Sequence, residues 1–153
     1  MLIAVAAGLM AACSPSAPAA NVPAEEGAQS GLAEVPLTIH SRNGDHRFTV
    51  EVAAQVEEQE RGLMFRRSLA ADRGMIFPYD PPQDVGFWMK NTLIPLDMLF
   101  IRANGQIARI ATAKPLDLSS VPAGEPVAAV LELRGGLAAE LGIAPGDRVE
   151  WPH

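Results

Sequence analysis

Short apolar runs separated by turn signals fill the chain from about residue 34 and predict a series of β-strands. Two Asn-Gly pairs, Asn43-Gly44 and Asn104-Gly105, each lie between two such runs. An Asn-Gly pair suits a two-residue type I′ hairpin turn, which needs positive φ at both positions. This register would place Arg42 opposite Asp45 across the first turn and Ala103 opposite Gln106 across the second. The pattern therefore predicts two β-hairpins.

The first arm of the second hairpin is apolar on both faces. Leu96, Met98 and Phe100 would lie on one side of this strand, and Leu99 and Ile101 on the other. A strand buried on both faces is central to its sheet. EPVAAVLELR (125–134) is likewise apolar on both faces and predicts a second central strand, and GDRVEW (146–151) and RGMIFPYD (73–80) predict further strands.

Helix signals are few. The segment QVEEQERGLMF has apolar Val56, Leu63 and Met64 with charges between them, which predicts a short amphipathic helix. GGLAAELG predicts a second short helix, bounded by Gly136 and Gly142. Many short strands with two short helices predict a mostly β (β-rich α+β) fold, a compact barrel-like domain of short antiparallel strands and hairpins.

The amino-terminal residues indicate export. Residues 1–12 are apolar and small, too few to span a bilayer, and they match the apolar region of a secretory signal peptide without Lys or Arg before it. The residues LMAAC resemble the lipobox of bacterial lipoproteins, except for Met10, where leucine is more usual. This resemblance implies that Cys13 is lipidated; the alternative is a plain signal peptide with an incidental cysteine.

The segment that follows Cys13 predicts a flexible tether. Residues 14–33 are rich in Pro, Ala, Ser and Gly and have no hydrophobic period, so they cannot bury enough apolar surface to offset their ordering entropy. Residues 34–153 then form a single globular domain. The expected location is the cell envelope or periplasm, with the protein held at a membrane by its lipid anchor alone.

Charge and composition disfavour several function classes. The formal net charge is −6, from 18 acidic and 12 basic residues, and aromatic residues make up 5% of the chain. No nucleic-acid partner is therefore predicted. The three histidines lack metal-site spacing, and there is no phosphate-binding glycine loop or nucleophile elbow. No metal or other cofactor is predicted.

One apolar stretch carries polar residues that need an explanation. In GFWMKNTLIPLDMLFI (86–101), a strand would place Trp88, Lys90 and Thr92 on one face. An aromatic plane, an ammonium group and a hydroxyl in a row would suit a polar ligand with some apolar surface.

Asp97 in the same stretch would lie on an apolar face. Because an isolated buried charge is costly, it should have a specific partner. The bend at Pro95 makes Lys90, Asn91 or free backbone N–H groups of the turn the expected partners. Such residues either brace the turn or line a ligand site.

Charged residues elsewhere give weaker signals. Arg61, Arg66, Arg67 and Arg73 cluster around the first predicted helix. Such a cluster is usually a solvated face, but Arg61 or Arg66 could turn inward and bind a carboxylate or phosphate in a bidentate manner. Glu132 lies between two leucines of a predicted strand and faces away from both. It is either exposed or the acid that pairs with one of these arginines.

Several motifs resemble a known family. RGLMFRRSL, GMIFPY, FWMKNTLIPLDMLFI, GQIARI, VLELRGG and GIAPGDRV occur in the order typical of the bacterial and archaeal domain-of-unknown-function family 192, over about residues 50–149. The resemblance implies a small β-rich fold, often exported, without an established activity. The polar positions that match the family are Arg61, Arg66, Lys90, Asn91, Thr92, Asp97 and Glu132.

The leading hypothesis is a non-enzymatic binding module for a small polar molecule or a partner segment, centred on Trp88, Lys90, Asn91 and Asp97. One alternative is a hydrolytic or lytic envelope enzyme with Asp97 or Glu132 as general acid or base. Another is a purely structural envelope protein. The candidate ligand-binding residues are Arg61, Arg66, Trp88, Lys90, Asn91, Thr92, Asp97 and Glu132.

Overall fold

The computed structural model describes residues 30–152. The predicted signal peptide, Cys13 and most of the predicted tether lie outside these residues. In chain order the elements are β1 (Glu34–Ser41), β2 (Gly44–Val52), α1 (Val56–Arg61), β3 (Arg73–Gln83), β4 (Gly86–Phe87), β5 (Leu96–Ile101), β6 (Ile107–Ala113), β7 (Val121–Pro122), β8 (Val127–Arg134), α2 (Leu137–Leu141) and β9 (Arg148–Glu150). Neither helix in this range is long and apolar enough to cross a membrane.

Seven strands form one curled sheet in the order β6-β5-β8-β3-β2-β1-β9, and β4 pairs with β7 in a small second sheet. With 46% strand and 9% helix, the mostly β prediction is confirmed. The two edge strands meet at one end of the sheet: the Ile107 N–H donates to Asp147 O at 2.9 Å, and the Val149 N–H to Gly105 O at 2.8 Å. These bonds give the sheet its barrel-like curvature.

One strand pair departs from the antiparallel prediction. β2 and β3 are parallel, with Thr49–Val52 beside Arg73–Ile76. The reason is the connection between them, in which residues 53–72 carry α1 and return the chain to the same end of the sheet. Parallel neighbours need such a crossover, whereas a tight turn joins only antiparallel strands.

The sheet buries side chains on both faces. Leu99, Ile101 and Leu131 belong to a first core, together with residues of β1, β9 and α2. Leu96, Met98 and other side chains of β3, β5 and β8 belong to a second core on the opposite face. The prediction that β5 and β8 are central and apolar on both faces is confirmed. The second core is covered by loops, and these loops form the candidate site.

Both hairpins exist, but their predicted registers are wrong. In the first, His40 faces Asp45 and Ser41 faces Gly44, so Arg42 lies in the loop and not opposite Asp45. In the second, the Arg102 N–H donates to Gln106 O at 2.9 Å across a loop of residues 103–105. Only the glycine of each Asn-Gly pair has positive φ. One glycine in this conformation allows a longer or shifted loop in place of a two-residue type I′ turn.

Both predicted helices are present. α2 lies between Gly136 and Gly142, as expected. α1 begins after a capping box in which Glu58 bonds back to the Gln55 N–H, and it ends at Gly62. The amphipathic prediction for α1 is wrong, because none of its residues is buried and Val56 is 66% exposed. Its apolar anchor is Leu63, which follows the helix and enters the second core.

Candidate functional site

Asp97 is a sealed structural group. It is 1% exposed, on β5. Its carboxylate accepts hydrogen bonds from the Thr112 hydroxyl (2.6 Å) and from the N–H groups of Gly136 and Ala138 (both 2.9 Å). Gly136 has no side chain to cap α2, so a carboxylate from a distant strand satisfies the free N–H groups at the start of that helix. The predicted partnership with Lys90 or Asn91 is therefore wrong.

Lys90 and Trp88 lie on the surface. Trp88 is 51% exposed, and the Lys90 ammonium lies 5.1 Å from the centroid of its ring. The predicted strand ends at Phe87, and Met89 to Thr92 form a turn closed by the Thr92 N–H donating to Met89 O at 3.1 Å. Thr92 is consequently buried and does not share the exposed face of Trp88 and Lys90.

Backbone hydrogen bonds join three loops that cover the second core. The Phe65 N–H donates to Asn91 O at 2.8 Å, and the Leu116 N–H donates to Thr92 O at 3.1 Å. A third bond links the Met89 N–H to Asp117 O at 2.8 Å. The loop after α1, the loop after β4 and the loop after β6 therefore form one continuous surface at one end of the sheet.

Three residues of this surface have a conformation that is rare outside glycine. Phe65, Asn91 and Leu116 have φ values of 65°, 55° and 60°. Asparagine tolerates this left-handed region, but a bulky phenylalanine or leucine is strained there by about 1–3 kcal/mol. The side chains of Phe65 and Leu116 are also 59% and 57% exposed. Two residues with a strained backbone thus expose large apolar side chains to water.

Further exposed apolar side chains lie on the same loops. We call this surface the loop face; its apolar members are Phe65, Trp88, Leu93, Leu116 and Leu118, which are 44–66% exposed. Lys90 and Lys114, the only lysines of the chain, lie on the same loops and are exposed. A cluster of large exposed apolar groups is uncommon on a soluble domain and typically marks an interaction surface.

Two open hollows flank α1. One, of about 390 Å³, is lined by Arg61, Phe65, Arg66 and the first described residue, Ser30, among others. The other, of about 350 Å³, has Val56, Phe87 and Trp88 in its wall. Both hollows therefore border the loop face. Within residues 30–152, no cluster of side chains is suited to hold a metal ion.

Arg66 binds a carboxylate, as one prediction allowed, but this carboxylate belongs to the protein. Its guanidinium donates to both oxygens of Glu51, at 2.6 and 2.7 Å, and both residues are buried. Burial alone would raise the pKa of the Glu51 carboxyl, but hydrogen bonds from Arg66 and Ser30 outweigh it and lower that pKa. Arg61, by contrast, is exposed in the wall of the larger hollow.

Glu132 is a second buried acid beside Arg66. It is 4% exposed and lies between Met75 and Met98 on the neighbouring strands, on the face of the second core. Burial raises the pKa of the Glu132 carboxyl to about 8, although the nearby Arg66 charge opposes this shift. Glu132 is therefore protonated at neutral pH. Of the two predicted environments for Glu132, the exposed one is wrong.

The raised pKa of Glu132 predicts a pH-dependent stability that Glu132→Gln removes. The folded protein keeps this proton up to about pH 8, whereas the unfolded chain releases it near pH 4.5. Between these values the folded state binds more protons, so the free energy of unfolding falls as pH rises. Relative to the wild type, Glu132→Gln should gain roughly 2–3 kcal/mol between pH 5 and pH 7.

Urea unfolding at several pH values measures this difference. Glu60→Gln, which neutralises an exposed carboxyl of α1, is the matched control and should follow the wild-type profile. Parallel profiles for Glu132→Gln and the wild type would show that Glu132 is ionised in the folded protein.

The structure separates the predicted site residues into two groups. Trp88, Lys90 and Asn91 belong to the loops at the surface, with Arg61 beside them in the larger hollow. Arg66, Thr92 and Glu132 are buried beneath that surface, whereas Asp97 is buried on the opposite side of the sheet, beside α2. Sequence reasoning missed Phe65, Leu116 and Glu51. Glu51 alternates with Val50 and Val52 in an apolar strand, the same signal that drew attention to Glu132.

A curled, mostly β sheet with one face covered by surface loops defines a small β-rich domain with a loop-built candidate binding surface. The chain belongs to the family DUF192, described as "Uncharacterized ACR", whose profile matches residues 38–151. The family assignment made from the motifs is thus confirmed. A comparison with curated proteins gives no match.

Two crystal structures resemble the chain closely. A protein of unknown function from Novosphingobium aromaticivorans is 48% identical over 84% of this chain and 94% of its own, with a TM-score of 0.79. A Sinorhizobium meliloti protein, provisionally called a transcription regulator, is 41% identical over 81% of this chain and 98% of its own, with a TM-score of 0.77. Both similarities extend over most of the described domain.

Proposed function

We propose that this protein is a non-enzymatic binding module, exported and lipid-anchored through Cys13, that binds a partner at the loop face. The observation that carries the proposal is the strained, exposed pair Phe65 and Leu116, held by backbone bonds to the Asn91–Thr92 turn. Strain that keeps apolar groups in water has no role in folding stability, and such strain is typical of functional surfaces.

The chemistry of the loop face defines the class of partner. Its apolar groups favour a partner with an apolar part, and Lys90 and Lys114 favour an anionic group beside it. The Lys90 ammonium is exposed and lies against the exposed Trp88 ring, so it can contact such an anionic group. The partner is thus an anionic molecule or segment with an apolar body. This proposal replaces the predicted cluster that included Asp97.

Two environment-sensitive dyes test the proposal. Anilinonaphthalene sulfonate has an apolar body and an anionic group, whereas Nile red is apolar and uncharged. Lys90→Ala should weaken binding of the anionic dye about threefold and leave Nile red unchanged, because one exposed charge contact is removed. The substitution removes only an exposed cation–π contact, so stability should fall by no more than about 1 kcal/mol.

Phe65→Asn should weaken binding of both dyes about tenfold, because it removes a large apolar side chain. Asparagine accepts the left-handed backbone, so the loop keeps its conformation. Phe48→Leu, a change in the first core away from the loops, is the control. If native protein binds neither dye, or if Phe65→Asn binds both as the wild type does, the proposal is wrong.

The enzyme hypothesis keeps one supporting observation, the raised pKa of the Glu132 carboxyl. Asp97 is excluded from acid–base chemistry at the surface, since its carboxylate is sealed and accepts three hydrogen bonds. A general acid must also reach its substrate. Glu132 lies in the wall of neither hollow beside α1. The binding module is therefore the better-supported function.

A further inference from the structure

We infer that the partner of the loop face is the surface of an anionic lipid bilayer. This inference rests on the proposed function and names the partner of the same site. Large apolar side chains with lysines around them are the composition of interfacial membrane-binding surfaces, where the rings enter the acyl boundary and the ammonium groups reach the headgroups. The loop face has this composition, with an indole, a phenyl ring and three leucines beside two lysines.

The charge distribution favours an anionic surface. The chain has a formal net charge of −6, yet both of its lysines lie on the loops of this one face. Asp117, whose charge interacts with Lys114, accepts a hydrogen bond from the Ser119 N–H at 2.8 Å, and its pKa is lowered chiefly by that backbone contact. Anionic lipids attract lysines near the surface even when the whole protein is acidic.

The path of the chain favours the same partner. The described part begins at Ser30, which lines the same hollow as Phe65 and donates a hydrogen bond to Glu51. Leu32 packs against the second core, and the Val52 N–H donates to Ala33 O at 2.9 Å. The 29 preceding residues, including Cys13, therefore join the domain beside the loop face. An anchor on that side would bring this face toward the membrane.

The two tryptophans allow a direct test. Trp88 is on the loop face, whereas Trp151 lies beside Ala103, next to the hairpin at the far end of β5. Trp151 also packs against the first core, whereas the loop face covers the second core on the other side of the sheet. In the full-length chain, Trp151→Phe leaves Trp88 as the only indole, and Trp88→Phe leaves Trp151. Each variant is bound to vesicles of phosphatidylcholine and phosphatidylglycerol with brominated acyl chains, which quench only indoles that enter the bilayer.

We expect the emission of Trp88 to shift to the blue and to be quenched, and that of Trp151 to stay unchanged. Phe65→Asn with Leu116→Asn should abolish the effect on Trp88 while the protein remains on the vesicles. The double substitution Lys90→Ala and Lys114→Ala should lower the equilibrium constant for contact of Trp88 with the bilayer about tenfold on vesicles that contain phosphatidylglycerol. On vesicles of phosphatidylcholine alone this constant should stay unchanged.

Three outcomes would overturn the inference. If Trp88 stays unquenched on vesicles that carry the protein, the bilayer is not the partner; dye binding that still depends on Phe65 and Lys90 would then leave the proposed function intact. Equal quenching of Trp88 and Trp151 would show contact without orientation. A blue shift of Trp88 that grows with protein concentration in vesicle-free buffer would assign the loop face to a second copy of the chain.

Discussion

Replacement of Asp97 by alanine is expected to lower the free energy of unfolding by about 3–5 kcal/mol, because it leaves three hydrogen-bond donors around a buried position without their acceptor. The Thr112 hydroxyl and the N–H groups of Gly136 and Ala138 all donate to this carboxylate. Water has poor access to replace it, since Asp97 is 1% exposed and Ala138 is 3% exposed. Such a loss is a large part of the stability of a typical domain.

Urea unfolding at neutral pH measures the effect, and near-ultraviolet circular dichroism shows whether the native packing survives. Asp117→Ala is the control: Asp117 also accepts a backbone N–H, but it is exposed, so its loss should have a much smaller effect. Asp97→Asn should destabilise the protein by an intermediate amount, because the amide oxygen still accepts hydrogen bonds whereas the amide NH2 group faces another donor. Equal effects of Asp97→Ala and Asp117→Ala would contradict the proposed cap.

The strands were predictable because their signals are local. Apolar runs and the Asn-Gly pairs gave the existence of both hairpins and the central positions of β5 and β8. The registers of the turns could not be predicted in this way, because a type I′ turn needs positive φ at both residues of the Asn-Gly pair, and here only Gly44 and Gly105 have it. Parallel pairing of β2 with β3 also lies beyond a local pattern, since it depends on where the crossover returns.

Asp97 illustrates what residue patterns can and cannot say about a site. An acid on an apolar face signals a specific partner, and free backbone N–H groups of the turn at Pro95 were among the partners expected. The N–H groups that bind it belong to Gly136 and Ala138, about 40 residues further along the chain. They reach Asp97 because β5 pairs with β8, where Asp97 faces Leu133 and Leu96 faces Arg134. That pairing depends on the tertiary structure and cannot be inferred from local sequence patterns.

The loop face could not be predicted from residue type. Phe65 lies in an apolar segment after α1, where burial is the natural expectation. Its exposure follows from a left-handed backbone that phenylalanine does not favour, imposed by a hydrogen bond to Asn91 O on another loop. Local preference and the observed conformation disagree here, and such disagreement is expected at functional positions.

Two buried carboxyls beside Arg66 give the protein opposing responses to pH. Glu51 has a lowered pKa, so its contribution to stability is present above its ordinary value of 4.5 and is lost as pH falls below it. Glu132 has a raised pKa, so its contribution is present below about pH 4.5 and is lost as pH rises toward 8. From these two groups alone, stability should be greatest near pH 4.5.

Replacement of Arg66 by methionine is expected to lower the free energy of unfolding by about 3–5 kcal/mol at pH 7, because it leaves the buried Glu51 carboxylate without its cation. Arg66 is 8% exposed and Glu51 is 5% exposed, so water cannot fully replace the lost bonds. Arg67→Met changes the adjacent exposed arginine and is the matched control. Urea unfolding of both variants gives the comparison.

The pH dependence of Arg66→Met separates a lost ion pair from lost packing. Without the guanidinium, only the hydrogen bond from Ser30 opposes burial, so the pKa of Glu51 should rise. As pH falls from 7 toward 5 the variant should therefore regain more stability than the wild type, whose gain comes from Glu132 alone. Adding Glu51→Met should restore most of the loss, because an apolar pair of similar volume often replaces a buried ion pair at little cost. If the double variant is as unstable as the single one at every pH, the stabilisation comes from the packing of the Arg66 side chain and not from its charge.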